Sequence, residues 1–261
     1  VAADLSWREL PLQSVLAVRL SYARLESDFS VADLGLTDVS DLDRTTFDGE
    51  IDYTRGAVAL SSRLTDTLDS RIHYSFLDRD NDSTPVSASH AERIFDYREH
   101  RAGIDLGYDF ARHTRLAGGY AFRDLDRRNL LEAEESTDHS VFIEVRNSSL
   151  EFFCARLRYE RLDRDADFGN RGRGTDPVAD SGEWIKRYIR HYYATDKSMD
   201  EVRMVLEFYP VDRFDLGFEY AYKLNDYDET DIGLTGDERH EFYADFAWRA
   251  AERITFGGFA G

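Results

Sequence analysis

The chain has 261 residues, of which 52 are acidic and 33 are basic, so its formal net charge at neutral pH is −19. This charge argues against a nucleic-acid-binding protein, which needs a basic face, and against a polybasic protein that binds a membrane surface. No stretch approaches the roughly 18 apolar residues of a transmembrane helix, and the single cysteine, Cys154, rules out an internal disulfide and a Cys-x-x-Cys-His haem-attachment motif.

A hairpin pattern recurs six times along the chain: two alternating apolar and polar stretches of about ten residues, joined by a tight turn. The predicted turns lie near residues 11–14, 65–69, 111–114, 147–149, 210–213 and 249–252. Long polar segments separate the hairpins, at residues 27–45, 78–99, 126–137, 163–198 and 225–238. The sequence therefore predicts one all-β domain over residues 1–261, in which short turns and long loops alternate.

Alternation assigns each strand residue to a face, because neighbouring side chains on a strand point in opposite directions. One stretch, for example, carries Ala102, Ile104, Leu106, Tyr108 and Phe110 on one face and Gly103, Asp105, Gly107 and Asp109 on the other. The stretches are long enough to cross a bilayer when tilted, their apolar faces end in aromatic residues, and the long loops lie on one side only. These features predict an antiparallel transmembrane β-barrel of about twelve visible strands, part of a larger barrel. A soluble sandwich or lipocalin-like barrel with one wet face also alternates, and stays open as the alternative.

One stretch departs from this alternation. Ile51 and Tyr53 are apolar at odd positions, whereas Val58 and Leu60 are apolar at even positions. The change of phase predicts a β-bulge around residues 54–56.

In a membrane barrel the polar positions would line the lumen. The candidate lumen-facing residues are Arg71, His73, Asp105, Asp109, Arg115, Arg123, Glu144, Arg146, Arg156, Arg158, Arg203, Glu207, Asp215, Glu219, Lys223, Glu241, Asp245 and Arg249. Such a lining can hold water in a channel or pair with a protein inside the barrel, and its charges can equally neutralise one another. Small residues on the same face, such as Gly103 and Gly119, could admit another backbone or relieve crowding in a curved sheet.

Sites with other chemistry are weakly indicated. Residues 78–82 and 163–169 carry carboxylates at alternate positions, as calcium loops do, but neither has an acidic residue at the twelfth position. Solvated acidic loops are therefore the favoured interpretation, with Ca²⁺ as a possible ligand. The seven histidines show no metal-ligand spacing, and no nucleophile, phosphate-binding or dinucleotide motif is present, so the sequence does not indicate an enzyme.

Several segments carry a resemblance to a known family. They are residues 196–210 (DKSMDEVRMVLEFYP), 214–222 (FDLGFEYAY), 225–227 (NDY), 233–234 (GL), 237–240 (DERH), and a hairpin with ALSSRL at 59–64 and YSFLDRDN at 74–81. The chain resembles the MtrB/PioB family of outer-membrane β-barrels that are associated with decahaem cytochromes. Family barrels use roughly twice as many strands as the six hairpins supply, and some members have an N-terminal cysteine pair that this sequence lacks. Both departures fit a chain that covers part of the barrel.

The resemblance implies a barrel in the outer membrane of a Gram-negative bacterium, with the long acidic loops outside the cell and the short turns in the periplasm. The barrel would enclose a periplasmic multihaem cytochrome, and electrons would cross the membrane through the enclosed haems, often to an extracellular multihaem cytochrome. The barrel itself would bind no haem. The alternative is a general or substrate-specific diffusion porin, closed by itself at about twelve strands.

Overall fold

The computed structural model describes residues 1–30, 46–83, 96–128, 135–167, 189–190, 195–227, 230 and 232–261. Most of these residues lie in one twelve-stranded sheet, and a single 3₁₀ turn spans Pro11–Gln13. Among the described residues, no helix is long and apolar enough to cross a membrane. In chain order the strands are β1 (Ala2–Leu10), β2 (Ser14–Ser30), β3 (Thr46–Arg63), β4 (Leu68–Asn81), β5 (Asp96–Ala111), β6 (Thr114–Arg128), β7 (Glu135–Leu150), β8 (Phe153–Asp167), β9 (Ile189–Arg190), β10 (Lys197–Val211), β11 (Phe214–Asp226), β12 (Ile232–Gly233), β13 (Gly236–Ala251) and β14 (Ile254–Ala260).

The large sheet is an antiparallel meander in which strands follow the order β1-β2-β3-β4-β5-β6-β7-β8-β10-β11-β13-β14. The short strands β9 and β12 pair with each other in parallel and form a separate two-stranded sheet. One end of the large sheet, the turn end, carries the tight turns, such as Arg112–His113 and Asp212–Arg213. At the opposite end, the loop end, long connections follow Ser30, Asn81, Arg128, Asp167 and Asp226. The predicted six hairpins, with short and long connections alternating, are therefore confirmed.

Three local predictions are wrong. The turn expected at residues 147–149 lies at Glu151–Phe152, because β7 continues through Leu150 after a shift of register beyond Asn147. The strands also extend into the segments expected to be loops, so that residues 78–81 belong to β4 and residues 163–167 belong to β8.

The predicted bulge at residues 54–56 is the third error. β3 pairs with β2 and with β4 in continuous register through this segment. Ile51 and Tyr53 simply face the charged side of the sheet, where the guanidinium of Arg79 lies 5.9 Å from the centre of the Tyr53 ring. An aromatic ring that packs against cations is stable on either face, and this explains the position of Tyr53.

The two faces of the sheet differ in composition and in exposure. The apolar face carries large side chains that are open to the surroundings, such as Phe242 (64% exposed), Ile72 (54%) and Ile143 (52%). The polar face carries the charged residues and is the more enclosed of the two, with Asp138 at 5% exposure. The inaccessible apolar residues of the large sheet also lie on the polar face: Leu125, Cys154, Ala166, Met199 and Ala221. A water-soluble sheet would show the opposite arrangement, because burial of the large apolar side chains drives its folding.

Candidate functional site

All the predicted lumen-facing residues lie together on the polar face. The strand register shows this directly, since Arg71 is opposite Asp105, Glu144 is opposite Arg158, and Arg158 is opposite Arg203. The candidate functional site is therefore one continuous charged surface that runs across β4 to β13. Its role as the lining of a lumen stays a prediction at this point.

At the loop end, the charges of the polar face form an enclosed network across four strands. The carboxylate of Glu99 accepts from Arg101 and from Arg123, with N···O distances of 2.6 Å in both cases. Asp138 accepts from Arg123 at 3.3 Å and from Arg164 at 2.6 and 2.8 Å. Two carboxylates thus join three guanidinium groups in a largely dehydrated part of the polar face. Short, well-directed hydrogen bonds are needed there to offset the loss of hydration of the charged groups.

The middle of the polar face also contains paired charges. Arg158 lies 3.8 Å from the centre of the Phe142 ring and donates to Glu160 at 2.8 Å. Arg203 contacts Glu201 at 2.9 Å and Glu219 at 3.3 Å. Because each of these arginines contacts a carboxylate, the charged side chains can pack closely on the middle of the polar face.

The turn end of the polar face is different. Arg115 is held by Asp69 at 2.6 Å and by Asp109 at 3.2 Å. The other predicted residues at this end form no ion pair within the described part of the chain; they are Arg71, Arg146, Arg156, Glu207, Asp215, Asp245 and Arg249. Arg146, Cys154, Arg156, Val205 and Glu207 line a small cavity of about 80 Å³.

The small residues of the polar face do not form an open strip. A Cβ atom at Gly103 would lie 2.6 Å from the His73 ring, and one at Gly119 would lie 2.5 Å from the Phe142 ring. The side chains of adjacent strands therefore already occupy the space above these glycines. Of the two roles considered for them, the structure supports relief of crowding on a tightly packed face.

The sequence reasoning missed a repeated tyrosine–histidine pair on the apolar face near the loop end. The pairs join neighbouring strands through the tyrosine hydroxyl and the histidine Nδ1, at 2.7 Å for Tyr74 and His100, 2.7 Å for Tyr120 and His139, and 3.0 Å for Tyr220 and His240. Rings with one polar edge are typical of the boundary between lipid and water. The signal in the sequence was that each histidine occupies a position of apolar parity.

A second set of aromatic rings lies on the apolar face at the turn end. Phe153 and Phe208 pack with centroids 4.8 Å apart, and Trp248 and Phe256 with centroids 5.7 Å apart. On β11 the two aromatic levels are marked by Phe214 and Tyr222, about 27 Å apart along the strand. A strand tilted by about 40° would then place them about 20 Å apart in depth, close to the roughly 25 Å apolar band of an outer-membrane barrel.

The segments considered for calcium are strands in the structure. In β4, Asp78 pairs with Arg98 at 3.1 Å rather than converging with its acidic neighbours. Within the described ranges no group of three or more His, Cys, Asp or Glu side chains is arranged to hold a metal ion. Residues 168–169 lie outside those ranges, and calcium binding stays a prediction.

An exposed apolar face bounded by two aromatic levels, combined with an enclosed charged face, defines the wall of a transmembrane β-barrel. The comparisons with known proteins identify which kind. Residues 2–261 match the family described as "Putative outer membrane beta-barrel porin, MtrB/PioB", and the chain belongs to this family of the outer membrane.

Two similar proteins are longer than this chain. "Outer membrane protein MtrB" of Shewanella baltica (strain OS185) is 22% identical over 257 residues, which are 94% of this chain and 36% of that protein. Among solved structures, "Copper transporter OprC" superposes with a TM-score of 0.59 at 12% identity, covering 98% of this chain and 45% of that one. The second likeness shows the fold alone. The chain thus spans about a third of the curated relative that it matches.

Proposed function

We propose that this chain forms part of a barrel wall that encloses a multihaem c-type cytochrome and so supports electron transfer across the outer membrane. The observation that carries the proposal is the polar face. It is a charged wall whose charges are neutralised internally at the loop end, whereas at the turn end, apart from Arg115 with Asp69 and Asp109, most of the predicted lumen-facing charges form no ion pair with another described residue. Membership of the MtrB/PioB family supports the same role.

The electron carriers would belong to the partner. The sequence has one cysteine and no Cys-x-x-Cys-His motif, so it cannot attach a c-type haem by the usual two thioether bonds. In this proposal the chain supplies an insulating wall, which is apolar toward lipid and charged toward the cytochrome. Its residues position the partner and exclude lipid, and the haems carry the electrons.

The size of the barrel sets a condition on the proposal. Twelve strands spaced by about 4.8 Å and tilted by about 40° would close to a backbone cylinder of about 24 Å diameter. A folded partner of only about 100 residues has a diameter of roughly 34 Å, so it needs a wider barrel. About twice as many strands would give about 48 Å. The sheath therefore requires more strands than the described twelve, and the greater length of the curated relative is compatible with this.

The charges beyond the aromatic level at the loop end support an orientation of the barrel in the membrane. There the outward-facing positions become acidic, for example Asp78, Asp124, Asp163 and Asp165. We infer that the loop end projects outside the cell, where it would meet an extracellular multihaem cytochrome, and that the turn end faces the periplasm, from which the enclosed cytochrome would enter.

Purification of the full-length protein in mild detergent tests the proposal. The expected result is a stoichiometric partner that stains for haem on a gel and gives the absorption spectrum of a c-type cytochrome. A haem-free preparation that conducts ions in planar bilayers would refute it and would favour the alternative of a general or substrate-specific diffusion porin.

A further inference from the structure

The two ends of the polar face differ in how many of their charged side chains form ion pairs. At the loop end, Glu99 and Asp138 each contact two arginines. Several turn-end charges form no ion pair within the described residues: β3, β4, β7 and β8 carry Arg63, Arg71, Arg146 and Arg156, whereas β10, β11 and β13 carry Glu207, Asp215 and Asp245 together with Arg249. The chain pairs its charges closely at one end and leaves, at the other, a basic sector on β3 to β8 and a mainly acidic sector on β10 to β13.

Within the basic sector, two arginines are direct cross-strand neighbours. Arg146 of β7 is opposite Arg156 of β8, and Arg115 of β6 is opposite Arg146 on its other side. Arg115 is neutralised by Asp69 and Asp109, but neither Arg146 nor Arg156 forms an ion pair with any described carboxylate. The Arg146 guanidinium hydrogen-bonds the Cys154 sulfur, and the Glu207 and Glu144 carboxylates attract it without forming an ion pair. Like charges placed directly opposite destabilise a sheet, so a further carboxylate that bridges the two guanidinium groups would stabilise this arrangement.

The cavity beside these arginines has the size and lining of a site for a small anionic group. Its volume of about 80 Å³ is close to that of two or three water molecules. Cys154 and Val205 supply apolar walls, and Glu207 supplies the one carboxylate of the lining. The Glu207 carboxylate accepts from the Tyr209 hydroxyl at 3.2 Å. Two guanidinium groups and one carboxylate leave the lining with one net positive charge.

We propose that Arg146 and Arg156 bind a side-chain carboxylate of the protein enclosed by the barrel, with the cavity receiving the head of that aspartate or glutamate. The inference rests on the proposed function, because it names the chemistry by which the enclosed partner is held. Guanidinium groups suit this task, since their fork of N–H donors matches the two oxygens of a carboxylate. The site anchors the partner at the turn end of the wall.

The first test compares two double variants of the full-length protein, both of which remove two positive charges from the polar face. Arg146→Gln with Arg156→Gln alters the cavity, and Arg63→Gln with Arg71→Gln alters the same sector outside it. We expect the cavity variant to weaken partner binding about tenfold to a hundredfold at moderate salt, the range for losing hydrogen bonds between charged groups, and the control to weaken it only a few fold. Equal losses in the two variants, or no loss in either, would overturn the assignment.

The single cysteine supplies a second readout that does not depend on the binding assay. Cys154 lines the cavity, so its labelling rate reports access to the site. In the partner-free protein, a negatively charged methanethiosulfonate reagent should label Cys154 faster than the positively charged analogue, and the Arg146→Gln, Arg156→Gln variant should lose this preference. Addition of the partner should protect Cys154 from both reagents.

The possible outcomes separate the two proposals. If no haem protein binds the wild-type wall, the proposed function fails. If a partner binds but leaves Cys154 equally reactive, or if the two reagents label the partner-free protein at the same rate, the carboxylate site fails while the sheath stands. Complete resistance of Cys154 to both reagents in the partner-free protein would also overturn the site, because the cavity would then be closed to the interior.

Discussion

The depth of a residue in the bilayer gives a sharp test of the membrane assignment, because β7 offers two matched positions. Ile143 and Leu150 are 52% and 50% exposed. His139 lies at the loop-end aromatic level, and Ile143 is about four residues further along β7. For a tilted strand this distance corresponds to about 10 Å in depth, so Ile143 lies near the middle of an apolar band of about 25 Å. Leu150 is the last residue of β7, next to the turn.

Arginine at these two positions should therefore have different costs. We expect Ile143→Arg to reduce the free energy of unfolding from lipid by about 2–4 kcal/mol, and Leu150→Arg by about 0–1 kcal/mol. The difference arises because a guanidinium near the midplane loses its hydration, whereas one at the boundary keeps it. A sheet exposed to water would tolerate both changes within about 0.5 kcal/mol, since both residues are half exposed.

Urea titration of the protein in phospholipid vesicles, followed by tryptophan fluorescence and by heat-dependent migration on gels, measures both free energies. Variants that agree within about 0.5 kcal/mol would refute the assignment of the apolar face to lipid. A larger loss for Leu150→Arg than for Ile143→Arg would refute the proposed depth of β7.

Two further predictions concern the contacts of the two faces. Asp138→Asn removes the charge that holds Arg123 and Arg164, so it should cost about 3–5 kcal/mol of stability. The control Asp109→Asn, at the more exposed turn end, should cost less than about 1 kcal/mol. A decrease of similar size in the melting temperatures of the two variants would contradict the enclosed network. Tyr120→Phe removes the hydroxyl that bonds His139 and should cost about 0.5–1.5 kcal/mol in the urea titration, while Tyr108→Phe on the same face should be neutral. Equal effects would mean that the tyrosine–histidine bond adds nothing.

The sequence predicted the architecture well because a β-strand has a period of two. Ile104 and Asp105 can be assigned to opposite faces without knowledge of the partner strands, and the register then places Asp105 opposite Arg71. The hairpin order followed for the same reason, since adjacent alternating stretches joined by a tight turn pair with each other. The MtrB/PioB resemblance was carried by such stretches and is confirmed by the family match.

The errors arose where one residue type can satisfy two environments. Tyr53 has an apolar ring, and its position suggested a change of phase, but the ring packs against Arg79 on the polar face. Asn147 has the chemistry of a turn residue and does accept from the Ser149 backbone at 3.2 Å, yet the strand continues to Leu150.

Contacts that depend on exact register were beyond sequence reasoning. The bond between Tyr120 and His139 is diagonal, because His139 is directly opposite Phe122, so it requires the alignment of β6 with β7. The same holds for the cavity beside Arg146 and Arg156. Both arginines were assigned to the correct face, but their direct opposition emerges only from the pairing of β7 with β8.

Crosslinking from two neighbouring residues of β7 tests the central claim most directly. Ser140 is on the polar face and Val141 is on the apolar face. With p-benzoylphenylalanine in place of each in turn, irradiation of the complex should join the Ser140 variant to a protein that stains for haem, and should leave the Val141 variant joined to lipid or unreacted. The account is contradicted if neither variant captures a haem protein, or if the Val141 variant captures it as well as the Ser140 variant does.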